Sequence, residues 1–123
     1  MIEYTVQVSK DKTEWRLNGK RHREDGPAIE WANGDKEWYL NGKYHREDGP
    51  AIEGVDGTKM WWLNGLLHRE DGPAIERPNG DKEWWLNDKL ISEEKFNPKT
   101  QTKELTVTQL EELLGYKIKV VGE

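Results

Sequence analysis

Trp38-Tyr-Leu-Asn-Gly-Lys-Tyr-His-Arg-Glu-Asp-Gly-Pro-Ala-Ile-Glu53 is the stretch on which the fold turns. The same phrase stands at Trp15–Glu30, changed only at Arg16 and Arg21. It stands again at Trp61–Glu76, changed at Trp62, Leu66 and Leu67. A fourth copy begins with Trp84-Trp-Leu-Asn87 and breaks off at Asp88, where the others carry glycine. The step is 23 residues throughout, as Trp15, Trp38, Trp61 and Trp84 show. A fixed period of that length marks a repeat array, in which each unit buries its apolar face by stacking on its neighbours.

Working outward, each unit reads as a β-hairpin. Pro27 to Trp31 is a short strand, Asn33-Gly34 a turn, and Lys36 to Leu40 the return strand. Asp56-Gly57 and Asn79-Gly80 mark the same turn further on, and Asn18-Gly19, Asn41-Gly42 and Asn64-Gly65 a second one. Tyr4-Thr-Val-Gln-Val8 alternates like a strand and aligns with the Ala28 to Trp31 run, so it opens a divergent first unit. There, Lys10-Asp11-Lys12 takes the place of the turn. The units fall near 4–19, 20–42, 43–65 and 66–91, giving a mainly β antiparallel meander of about seven or eight strands.

Residues 92–123 leave the repeat. Ser92 reads as the N-cap of a short helical turn through Phe96. Thr106-Val-Thr-Gln109 is a capping box before the stripe Leu110, Leu113 and Leu114, and Tyr116 to Val121 alternates as a final strand. This helix-strand tail is expected to cap the array as part of one domain.

A hairpin unit of this length, with glycine at the turns and aromatics in the strands, resembles the MORN (membrane occupation and recognition nexus) repeat. The phrase Trp-x-Leu-Asn-Gly-Lys-x-His-Arg-Glu-Asp-Gly-Pro-Ala is similar to a variant in small repeat proteins of tailed phages. That resemblance implies an accessory protein that binds and inhibits a host defence factor in the host cytoplasm.

Composition narrows the function classes. Only 33% of residues are hydrophobic against 35% charged, but seven Trp and four Tyr recur at fixed offsets, so a thin aromatic core is expected. A net charge of −5 argues against nucleic acid as partner. There is no cysteine for a disulfide or thiolate site, and no apolar run reaches the ~20 residues that span a bilayer. A soluble protein without membrane contact is the reading, with oligomeric state left open.

Two sets of residues attract functional attention. The His-Arg-Glu-Asp quartets at His22/Arg23, His45/Arg46 and His68/Arg69 recur one unit apart, roughly 10 Å if each unit adds two strands. Ligands of one metal ion cannot be so far apart, so no metal or other cofactor is expected. A structural joint is needed at every junction, and arginine tied to carboxylate supplies one. A ladder of phosphate contacts, sequestering a nucleotide signal with help from Trp stacking, is the alternative ligand-binding reading. An acidic mimic of nucleic acid is a third. No catalytic arrangement stands out.

The second set lies in the return strands. Trp15, Trp38, Trp61 and Trp84 share one face with Leu17, Leu40, Leu63 and Leu86, and are expected to form the packed row. Arg16, Tyr39, Trp62 and Trp85 point the other way and differ between units. Tyr39, Trp62 and Trp85, with Leu66 and Leu67, are the expected anchors for a protein partner, unless the C-terminal helix covers them.

Overall fold

The computed structural model describes residues 3–96. The expected helix and strand after Phe96 lie outside the described residues. Among the described residues the chain is mainly β, with fourteen short strands and one helical turn. These are β1 Thr5–Val8, β2 Lys12–Leu17, β3 Lys20–Arg21, β4 Ile29–Trp31, β5 Lys36–Glu37, β6 Tyr39–Leu40 and β7 Lys43–Tyr44. They continue as β8 Ile52–Glu53, β9 Lys59–Met60, β10 Trp62–Leu63, β11 Leu66–Leu67, β12 Ile75–Glu76, β13 Lys82–Leu86 and β14 Lys89–Ile91, then α1 Glu93–Phe96. One long antiparallel meander runs β1-β2-β4-β5-β8-β9-β12-β13-β14, while β6-β7 and β10-β11 form small hairpins of their own.

The expected seven or eight strands are therefore present as a larger number of shorter ones. In the second and third units the return strand breaks at its tryptophan. The Trp38 amide donates to Ala51 in the next unit's strand at 2.7 Å, and its carbonyl accepts from His45 of its own small hairpin at 3.1 Å. Trp15 and Trp61 make the same exchange with Ala28 and His22, and with Ala74 and His68. The tryptophan is the residue at which the chain changes pairing partner.

Two turn types produce this alternation. At Asn41-Gly42 both residues have positive φ, 53° and 81°, the geometry of a two-residue hairpin turn whose twist suits the flanking strands. At Ala32-Asn33-Gly34 only glycine is left-handed, and Trp31 bonds both Gly34 and Asp35, which is a three-residue turn closed by a bulge. The first unit has no glycine at Asp11, so Ser9 and Lys12 close a tighter turn. Its register slides by one residue in consequence: Val6 pairs with Trp15, whereas the repeat alignment would set it against Glu14.

Register also settles the faces, and it reverses the sequence expectation. Cross-strand partners share a face, and Glu14, Ile29, Glu37, Ile52, Met60 and Ile75 form one continuous row across the sheet. Ile29 is fully buried, and Tyr39 is 5% exposed in a cluster with Ala28, Trp31 and Tyr44. The core face is thus the one carrying Tyr39. Trp15, Trp38, Trp61 and Trp84, with their leucines, are half-buried on the opposite face. At the far end, Ser92 caps α1 through the Lys95 amide, and Phe96 lies 6.5 Å from Trp84 between ring centroids.

Candidate functional site

The core face is polar at its heart, and its residues change together from unit to unit. Tyr39 and Tyr44 stack at 4.5 Å, and both hydroxyls reach Glu37, at 2.7 and 3.2 Å. The Trp31 indole donates to the same carboxylate at 2.6 Å. In the first unit Glu14 takes the place of Glu37, buried among Lys12, Arg16 and Arg21. In the fourth, Glu83 accepts from Trp85 at 3.1 Å and pairs with Arg77. The third unit has Met60 there and Gly54 in place of Trp31, and the buried Trp62 indole N–H has no partner among the described residues. Replacing Glu37 by leucine should therefore leave three donors stranded and cost about 1–3 kcal/mol, read as a lower urea midpoint.

Burial sets the ionisation of this cluster. It pushes the Tyr39 hydroxyl far above the usual tyrosine range, with the hydrogen bonds to Tyr44 and Glu37 adding to it. Tyr44 is raised as well, chiefly by burial. The folded chain keeps protons that unfolded tyrosines lose near pH ~10, so stability is full below that pH and declines as pH rises above it. Denaturation midpoints measured from about pH 8 to 11 should show this decline, and Tyr39→Phe should reduce it.

Glu14 shows the opposite sign. Burial alone would raise its carboxyl, but the contacts with Lys12, Arg16 and Arg21 outweigh it and hold the group below the usual range.

The opposite face carries the quartets. Each arginine lies over the tryptophan eight residues before it: Arg23 over Trp15, Arg46 over Trp38 and Arg69 over Trp61, at 4.0, 3.9 and 3.8 Å to the ring centroid. Arg46 Nε donates to Asp48 at 3.0 Å, and Nη1 donates to the Pro50 carbonyl and to Glu53, each at 3.0 Å. Arg69 repeats this with Asp71, Pro73 and Glu76. The hydrogen bond from Arg69 and the charge of its guanidinium hold the Asp71 carboxyl below the usual range. Gly49 is required by close approach: a Cβ there would stand 2.9 Å from the Arg46 Cζ.

The histidines tie successive copies of the sixteen-residue phrase together. His22 Nδ1 accepts from the Asn41 amide, His45 Nδ1 from Asn64, and His68 Nδ1 from Asn87, each at 2.9 Å. An Nδ1 that accepts leaves the ring proton on Nε2, which faces Glu24, Glu47 or Glu70. The backbone adds Arg23 to Tyr39, Arg46 to Trp62 and Arg69 to Trp85, at 3.1–3.2 Å. The quartet is a joint between successive copies of that phrase. The donors expected to form a phosphate ladder are already engaged in it. No three His, Cys, Asp or Glu side chains converge among the described residues.

Where adjacent joints meet they enclose grooves. One lies between Arg46-Glu47-Asp48 and His68-Arg69-Glu70-Asp71, floored by Trp61 and Leu63, with a volume of about 610 Å³. Its counterpart one unit earlier, of the same volume, is floored by Trp38 and Leu40.

The residues expected to anchor a partner fall on both sides of the sheet. Tyr39 and Leu67 are buried on the core face, so the expectation that they stand on the surface is corrected. Trp62 pairs with Leu67 and Trp85 with Leu90, and both tryptophans are half-buried. Leu66 alone of the five stands out at 40% exposed, opposite Leu63 and so beside the groove. Trp61 and Leu63, expected in the packed core, line the floor of the groove instead.

Fold and joints together define an antiparallel β-hairpin repeat array whose units are tied by side chains. No protein-family model, curated protein or solved structure matches the chain. No helix among the described residues is long and apolar enough to cross a membrane.

Proposed function

We propose that the chain is a non-catalytic protein-binding module that presents its grooved face to a macromolecular partner. One observation carries the reading: the joints that consume the repeated His and Arg side chains also frame two like grooves with apolar floors and carboxylate rims. The repeated His and Arg groups are engaged in holding the array together, whereas the surface between them is open among the described residues. Leu66, where the preceding copy of the phrase has Lys43, gives the third copy an exposed apolar edge beside Leu63.

The resemblance to MORN-like repeat proteins of tailed phages supports a host protein as that partner, inhibited by being occupied. The test is capture from host lysate on the immobilised chain, run beside Leu66→Lys, which copies the preceding unit. A discrete partner should be retained and its affinity should fall by about tenfold in the variant, at unchanged melting temperature. Retention of no protein, together with a melting temperature raised by added nucleotide, would contradict the reading.

A further inference from the structure

The two grooves repeat at the step of the array, and that step has a length. From one unit to the next the long sheet advances by two strands, as from Ile29 through Glu37 to Ile52. At about 4.8 Å per strand the grooves are about 9.6 Å apart. Their rims turn carboxylates outward, with one exposed lysine, Lys43, opposite Leu40 beside the earlier groove. The Arg46 and Arg69 side chains are 21% exposed, turned onto the tryptophans, while Asp48 and Asp71 are 87% and 85% exposed. Glu24, Glu47 and Glu70 stand on the same rims and also face solvent. The two arginines are thus turned under a ladder of carboxylates with apolar ground between its rungs.

We propose that this face binds an extended basic peptide in the polyproline II conformation, with arginine or lysine at every third position. A polyproline II helix rises ~3.1 Å per residue with three residues per turn, so every third side chain points the same way at ~9.3 Å intervals. That interval matches the groove spacing. A β-strand ligand would turn its third residues to opposite faces and could not enter both grooves from one side. Each guanidinium can take a carboxylate pair at a rim, and the intervening pyrrolidine rings pack on Leu40, Leu63 and the exposed Leu66. A preformed polyproline II segment also loses little entropy on docking. The assignment rests on the binding-module reading and names the chemistry of the partner for that same face.

The experiment is fluorescence anisotropy of the full chain with a labelled Arg-Pro-Pro repeat peptide. Its control is a peptide of the same composition whose arginines are contiguous. The phased peptide should bind at least about tenfold tighter, and weaken as salt is added. Combining Glu24→Gln, Glu47→Gln and Glu70→Gln should abolish that preference with the circular dichroism unchanged, because glutamine keeps an acceptor for each histidine Nε2. Equal affinity for the two peptides, or a triple variant that binds like the parent, overturns the assignment. So does the failure of both peptides to bind, which leaves the module reading to be decided by partner capture.

Discussion

Ile29→Ala is expected to cost about 2–5 kcal/mol, the range for removing a fully buried branched side chain with incomplete collapse around it. Ile29 has no exposed surface and packs with Ala28 and Tyr39 under Trp31 and Tyr44. Leu63→Ala on the opposite face should cost roughly half as much or less, because Leu63 is half-buried at a groove floor and less apolar area returns to water. Urea unfolding of both variants measures the difference. Equal losses at the two positions would show that the Trp–Leu face carries as much of the core as the Ile–Tyr face.

Arg46→Ala should also be severe, at about 2–4 kcal/mol. It removes a guanidinium stacked on Trp38, and cation–π contact with a partly desolvated ring is worth about 1–2 kcal/mol. It also strands the carbonyl of the buried Pro50. The ion pair with Asp48 adds little, because that carboxylate is solvated. Arg46→Lys should recover only a small part of the loss. An ammonium has no plane to lay on the indole and no fork to reach Asp48, Pro50 and Glu53 together. Full recovery by lysine would mean that charge alone holds the joint.

Much of this architecture can be read directly from the chain. The 23-residue step, the Asn-Gly turns and the Ser92 cap each correspond to local rules that tertiary packing does not override. The slipped first hairpin follows from the missing glycine at Asp11, although only the register reveals its size. What alternation does not decide is which face is inner. The Trp–Leu row and the Tyr–Trp row are both apolar, and a period of two separates them without ranking them.

The deciding signal lay elsewhere in the unit. Ile29, Ile52 and Ile75 sit opposite Glu14, Glu37, Met60 and Glu83, which fixes the inner face once strands are paired. Residues 31/37/39/44 change in concert with 54/60/62/67, a mark of side chains that touch within a unit. The break of the return strand at Trp38 and Trp61 has no local mark. It arises because the two small turns demand different partners for the two halves of one strand. The placing of an arginine over Trp15, Trp38 and Trp61 has no local mark either, since Trp38 and Arg46 are far enough apart in sequence that only the folded hairpin brings them together.

The quartet as a joint between successive copies of the phrase is tested most directly by the tautomer of the three histidines. Long-range proton–nitrogen correlation spectra of the labelled chain should show His22, His45 and His68 as neutral rings protonated at Nε2. The Asn41, Asn64 and Asn87 amides, which donate to their Nδ1 atoms, should exchange slowly with solvent. Rings protonated at Nδ1, with those three amides exchanging as fast as open turn amides, would contradict the account.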